Sequence, residues 1–440
     1  MQTAQLTAVD LPEGALHTAT RTVLFMALFL FFWISLNPFV DLTGAAVLDP
    51  SAGNSNRLNQ IVSLGLSGLI LLFGLLHALR NEIFQPRLLL IPLFTWFLFV
   101  SVLSNEPMLG IKGVVLAIIV TMNASIYLLL PVSERHFAKM LAFGTLAALV
   151  LSYYGVVFKP LVSIHQAAEL REPMNAGLWR GHFPHKNSAA AAMVIATFFG
   201  LFVMAAWSRL LGAIIVILAV FFLLHTGGKT SSAMLPAILI VAWVFERFRF
   251  LRAPIAIGGV ALFNLLAVGS AVIRPVGEFL TNLGIDATFT NRADIWRFAF
   301  EAIAESPIAG YGFKGFWQTE ELVYSGGSIE TWAVAAANGH NSFLDITLTT
   351  GIPGLALTLI WVLILPLRDI SRVRPEEQHS PLMRLYTRVW LYTLFNAGLE
   401  SLFFEGGNML WFTFMLALYG FRLQASASTR IIHSRAPGGT

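Results

Sequence analysis

Of 440 residues, 56% are hydrophobic and only 12% charged, which leaves too few polar side chains to cover a soluble fold and points to lipid as the solvent. The excess of 28 basic over 24 acidic residues is too small to hold nucleic acid, and the absence of cysteine excludes disulfides and thiolate metal sites. The expected class is an all-α polytopic membrane protein, because a span in hydrocarbon must satisfy its own backbone and a helix does so.

In chain order, the first residues include Asp10, Glu13 and His17, and the first apolar run ends without a small-residue cleavage pattern. This predicts a cytoplasmic segment over 1–21 rather than a cleavable signal. A hydrocarbon core of about 30 Å takes roughly 20 helical residues. Apolar runs near that length predict twelve spans: 22–40, 59–79, 88–104, 110–131, 137–158, 188–207, 210–225, 231–247, 253–273, 342–366, 385–403 and 406–422. A turn at Trp207, Ser208 and Arg209 must separate two of them, since fused they are too long for one crossing. Nine spans thus occupy 22–273, a long polar loop runs from 274 to 341, three spans occupy 342–422, and a cytoplasmic tail follows over 423–440, its last 15 residues expected to be disordered.

Basic residues set the orientation. With both termini in the cytoplasm, seventeen of the 28 basic residues lie inside, from Arg21, Arg80 and Arg87 through Arg247, Arg249 and Arg252 to Arg430 and Arg435. The polar segments 159–187 and 274–341 and the turn at 225–230 then fall outside, and Lys112, Asp345 and Glu400 sit near outer span ends. Few ionisable groups lie at mid-bilayer, where coupled transporters carry them, so the expected site opens outward.

Three outer segments have the residue types for chemistry. Trp179, Arg180, Gly181, His182, Phe183, Pro184, His185, Lys186 and Asn187 lead directly into a predicted span. The cations and histidines there, next to free N–H groups at a helix N-terminus, suit an anion, although basic residues with Trp also flank spans at ordinary interfaces. Gly227, Gly228, Lys229, Thr230, Ser231 and Ser232 offer open backbone, a point charge and hydroxyls. This is not a nucleotide-binding P-loop, because the spacing between glycines and the preceding strand are missing; the alternative is a snorkelling lysine.

In the long loop, the stretch from Asn291 to Glu301 has helical spacing, with Ile295, Ala299, Ala302 and Ile303 on one stripe and Arg297, Glu301 and Glu305 on another. Arg292 falls near the buried side, roughly 140° from Arg297 at about 100° per residue. It needs either a carboxylate such as Asp345 or a phosphate. The loop ends at Asn338, Gly339, His340, Asn341 and Ser342, which puts His340 at a helix N-terminus, where the dipole favours a neutral ring able to take a proton from a hydroxyl; capping or packing is the alternative. No DxD pair occurs, and His182 and His185 straddle a proline, so neither a metal nor another cofactor is expected.

The runs RGHFPHKN, HTGGKTSS, NRADIW with SPIAGYGF, and GHNSFLDITLTTGIPG together resemble the O-antigen ligase and polymerase superfamily, in particular its exopolysaccharide-polymerase branch. The resemblance implies a GT-C-like architecture and a metal-independent, inverting glycosyltransferase of the inner membrane, with its active site on the periplasmic face. The implied substrates are an undecaprenyl-diphosphate-linked glycan donor and a lipid-linked glycan acceptor, with polysaccharide-assembly proteins as further partners. By motif, His340 matches the proposed catalytic histidine and Arg292 a donor-diphosphate arginine, while Lys229 stands where ligases carry arginine. Lys cannot make the bidentate phosphate contact of Arg. Arg180 and Lys186 are further candidates for the diphosphate, with His182, His185, Asn187, Asn341 and Asp345 in supporting positions. The leading expectation is a polymerase of lipid-linked repeat units. The alternatives are a ligase transferring glycan to lipid A core or protein, and a transporter of lipid-linked sugar or polysaccharide.

Overall fold

The computed structural model describes residues 15–43, 57–76, 88–170, 172–284, 292–319, 322 and 336–426. Arg80, Arg87, Asn291, Arg430 and Arg435, and the tail expected to be disordered beyond residue 426, lie outside the described residues.

Every predicted span contains a helix. They are α1 (Ala15–Ile34), α2 (Arg57–Leu76), α3 (Leu90–Val102), α4 (Pro107–Tyr127), α5 (Glu134–Phe158), α6 (Lys186–Ala206), α7 (Arg209–His225) and α8 (Lys229–Arg247), then the composite helix α9 (Arg249–Val272). The long loop contributes α10 (Arg274–Asn282) and α11 (Arg292–Glu305). The continuous helical run α12 (Ser342–Arg372), α13 (Pro381–Asn396) and α14 (Met409–Ala425) follow. Eight of these helices are long and apolar enough to cross a membrane, while α3 and α7 are apolar but shorter. No strand is present among the described residues, only an isolated bridge between Ile164 and Trp179. The chain is therefore an all-α, multi-pass membrane protein, and large apolar side chains such as Leu210, Ile217, Leu224 and Leu262 stay exposed on its flanks as a lipid solvent allows.

Local chemistry starts the helices where a polar side chain can satisfy free N–H groups. Ser208 accepts from Leu211 N and so makes the short break between α6 and α7. Ser133, Ser380 and Asn408 begin α5, α13 and α14 in the same way. The α13 helix ends at Asn396 rather than running to 403. Leu402, Phe403 and Phe404 are apolar enough to read as a span, but they bury themselves from a loop.

The α6 helix is the core of the bundle. Every residue from Ala189 to Gly200 is buried, and α5, α7, α8, α13 and α14 pack around it.

Two of the motifs singled out in the sequence dock on each other. Gly351 interrupts α12 with φ 69° and ψ −179°, a region open essentially to glycine alone. That break brings the 307–311 turn against α12, where Ile352 N donates to Pro307 O at 2.9 Å and Tyr311 N to Leu348 O at 3.1 Å. Gly310, at φ 65°, lies against the Leu348 and Thr349 backbone, where a Cβ would collide.

Candidate functional site

The site is built on the turn that starts α12. His340 has a left-handed backbone at φ 47°, a conformation costing a non-glycine residue on the order of 1 kcal/mol or more. Its neighbours hold it there. His340 N donates to Asn338 Oδ1 at 3.0 Å, and Trp296 Nε1, from fully buried Trp296 in α11, donates to Gly339 O at 2.9 Å. Asn341 caps α12 by accepting from Leu344 N at 2.9 Å, and its amide donates to Gly398 O and to Asn264 Oδ1, each at 2.8 Å.

Ser342 completes the clamp on the loop after α13. Its N–H donates to Ala397 O at 2.8 Å, while its hydroxyl donates to Glu400 O at 2.8 Å and accepts from Leu402 N at 2.7 Å.

This lacing delivers Glu400 to His340. Glu400 Oε2 lies 3.6 Å from His340 Nδ1, and Oε1 accepts from Arg292 Nη2 at 3.0 Å and from Asn187 Nδ2 at 3.3 Å. Arg292 also donates to the Leu399 carbonyl. Burial acts to raise the Glu400 carboxyl, but the Arg292 guanidinium and His340 outweigh it and pull the group down to about 2. The carboxylate that Arg292 needed is thus Glu400. Asp345 is committed elsewhere, accepting from Trp317 Nε1 at 2.8 Å, from Gly339 N at 2.9 Å and from the Ser401 hydroxyl. The expected stripe of α11 is present, with Ile295, Ala299 and Ala302 buried, while Arg297 is exposed and pairs with Asp294 at 2.8 Å.

Lys186 opens α6 and lies within electrostatic range of Lys229, Arg292 and Glu400 as well as Glu172. Lys229 opens α8 as an exposed side chain, brought to α6 because Gly228 presses against Ala190 with no room for a Cβ. Three cations from three separate stretches of sequence therefore lie near one another, Arg292 and Lys186 within range of Glu400 and Lys229 within range of Lys186. Their excess of positive charge over Glu400, beside the N-termini of two long helices, suits a multiply charged anion.

The other residues of the 179–187 segment are placed differently. Arg180 is fully buried and donates to Val40 O at 2.6 Å and to Phe183 O and Pro184 O at 3.4 Å, so its guanidinium organises the segment rather than facing the cation cluster. His182 is buried too. Its Nδ1 accepts from Ser152 Oγ at 2.8 Å and its Nε2 donates to Trp33 O at 2.9 Å, and burial pushes its titration down to about 4 despite the carbonyl partner.

His185 caps α6, accepting from Asn187 N at Nδ1 and donating from Nε2 to Glu172 at 3.0 Å. That bond is the main reason the Glu172 carboxyl falls to about 2. His165, which the sequence did not single out, donates from Nδ1 to Glu169 at 2.6 Å and accepts from Lys186 N at 3.2 Å. It thereby fixes the start of α6. Glu400 is the other residue whose role was missed. Its one signal was that it is one of only two acidic side chains, with Glu405, in the apolar stretch 385–422.

Residues 212–359 match the family model described as O-antigen ligase. That stretch contains Lys229, Arg292, His340, Asn341 and Asp345, and excludes Lys186, Asn187 and Glu400. The chain is also similar to the exopolysaccharide production protein ExoQ of Rhizobium meliloti (strain 1021), at 24% identity over 252 residues, covering 53% of this chain and 51% of that protein. The chain thus spans about half the length of the curated relative it matches.

Proposed function

We propose, from the premise that the chain belongs to the O-antigen ligase and polymerase superfamily through its residues 212–359, that it is a membrane glycosyltransferase that polymerises undecaprenyl-diphosphate-linked repeat units. The observation that carries this reading is the bridge made by Glu400 between Arg292 and His340. One carboxylate ties a group suited to a diphosphate to a group suited to a hydroxyl proton.

In the reaction, an acceptor hydroxyl oxygen attacks the anomeric carbon from the face opposite the diphosphate. The glycosidic C–O bond breaks, the electron pair leaves on the diphosphate, and the configuration inverts. Arg292, Lys186 and Lys229 offset the charge that develops on the leaving group. The hydroxyl proton passes to His340 Nε2. The Glu400 charge 3.6 Å from Nδ1 favours the tautomer with its proton there, leaving Nε2 to accept, and stabilises the imidazolium that forms. These side chains supply the charge neutralisation a metal would otherwise give, so turnover is expected to be insensitive to chelator. Arg180, His182 and His185 act in this reading by shaping the segment that presents Lys186 and Asn187.

The distribution of basic residues supports a site on the periplasmic face of the inner membrane, with both termini in the cytoplasm. Transport alone is disfavoured by charge depth, since the cationic groups cluster at helix N-termini at one end of the bundle. The family model's description favours a ligase as the second reading. Mass spectrometry of products formed by the purified protein, with a lipid-linked repeat unit as both donor and acceptor, separates the two. Longer oligomers support polymerisation; transfer confined to added lipid A core supports ligation and overturns it.

A further inference from the structure

A cavity of about 110 Å³ adjoins the α12 turn, lined in part by Asn338, Ser342 and Ser401 but not by Arg292, His340, Lys186 or Glu400. A water takes about 30 Å³ of liquid, so the space suits one face of a sugar ring and excludes a lipid chain or a diphosphate with its glycan. Its walls are of mixed character. Trp317 supplies an aromatic surface, Asp345 and Ser401 supply hydrogen-bonding groups, and the Lys314–Glu405 ion pair lines it as well. Two carboxylates against one ammonium give an anion no attraction, in contrast to the cation cluster around Arg292. A neutral, hydroxyl-rich ring, with apolar C–H faces and alternating donors and acceptors, fits such a lining.

Asn338 connects this cavity to the base. Its Oδ1 accepts from His340 N at 3.0 Å and lies 3.1 Å from Ser401 Oγ, whose single proton is shared with Asp345. The His340 N–H, which needs an acceptor, fixes the orientation of the amide, and its Nδ2 donates to no other described residue. One end of the side chain therefore holds the His340 backbone, and the other presents two N–H groups from a cavity-lining residue.

We infer that this cavity binds the acceptor, seating the sugar residue next to the one whose hydroxyl attacks, with Asn338 setting the distance from that residue to His340. The inference rests on the glycosyl-transfer reading above. The donor's diphosphate belongs with the cations, whereas the acceptor needs a site that is near His340 and carries no cationic excess.

The test uses the purified full-length protein and, as probe, the repeat-unit oligosaccharide released from its lipid by mild acid, which retains the sugars and lacks the diphosphate. Equilibrium dialysis measures its binding, and transfer from intact lipid-linked donor gives separate KM values for oligosaccharide and donor. Asn338→Asp is the informative variant, because it keeps an oxygen for His340 N–H and replaces the amide donors with a charged, acceptor-only oxygen. Trp317→Ala removes the aromatic wall.

We expect oligosaccharide KM and dissociation constant to rise by about tenfold or more in each variant, the weight of one or two lost contacts, with donor KM moving less than about twofold. Wild-type values for the oligosaccharide in a folded Asn338→Asp protein overturn the inference and leave glycosyl transfer standing. Oligosaccharide binding that both variants weaken, without transfer by any form of the protein, upholds the sugar site and overturns the transferase reading.

Discussion

Arg292 and Glu400 form an ion pair across two distant parts of the chain, with Nη2 3.0 Å from Oε1 and both side chains partly open to solvent, at 17% and 27%. The same carboxylate reaches His340 with its other oxygen. Neutralising it should therefore disturb the donor side and the base together. Glu400→Gln is expected to lower turnover by about 10- to 100-fold, by analogy with the loss of the carboxylate that orients a metal-bound histidine, while thermal melting in detergent shows a folded protein. Wild-type turnover in this variant would remove Glu400 from the mechanism.

The pH dependence follows from the depressed Glu400 carboxyl. Its folded-state value of about 2 lies below the ordinary 4.5, so the stabilisation from its pairing is complete above the ordinary value and is lost as pH falls towards about 2. Between about pH 5 and pH 8 Glu400 stays ionised. Any change in turnover across that window belongs to another group, and the limb that Glu400 contributes appears only in acid.

His340→Ala should reduce transfer by about 10²- to 10⁴-fold, the usual weight of a positioned general base, and Arg292→Ala should abolish polymer formation in cells at normal protein levels. Near-normal chain length in either variant, read by gel analysis of the polymer, would remove that residue from its role.

Lys229 is exposed and makes no hydrogen bond or ion pair among the described residues, so its substitution carries little structural cost. Lys229→Arg should retain transfer and Lys229→Ala should lose most of it. Equal activity of the two, measured with the same lipid-linked substrate, assigns the side chain to snorkelling instead.

His182 makes the opposite case. Buried, neutral and bonded at both nitrogens, it should cost stability rather than chemistry, with His182→Ala losing about 1–3 kcal/mol. Because its folded-state value of about 4 is below the ordinary 6.5, its contribution is complete above pH 6.5 and is lost as pH falls to about 4. Melting temperature should fall over that interval in the wild type and fall less in a variant that lacks the imidazole.

Most helices were legible because hydrocarbon demands long apolar runs and the chain supplies them. The ends were less so: α13 stops at Asn396 while apolar residues continue, since nothing local distinguishes a Phe packed from a loop from one packed from a helix. Within the site, His340, Arg292 and Lys229 were legible from motif and position. Arg180 and Lys186 looked equivalent in sequence, six residues apart in one basic segment, yet the fold buries one against carbonyls and turns the other towards the cluster. That difference depends on Val40 and Glu400, far away in the chain. Glu400 itself was missed because an isolated carboxylate has no periodicity, and its partners Arg292 and His340 reach it only when the helices assemble.

The position of Glu400 also bears on how the protein is made. Arg292 enters the membrane system more than a hundred residues before its partner, and the left-handed turn at His340 is secured by carbonyls and hydroxyls from 397–402. A nascent chain released before α13 and its following loop would carry an uncompensated arginine and a histidine with nothing to aim it. The contacts that set Arg292 and His340 in place are thus complete only once the chain beyond α13 has been made.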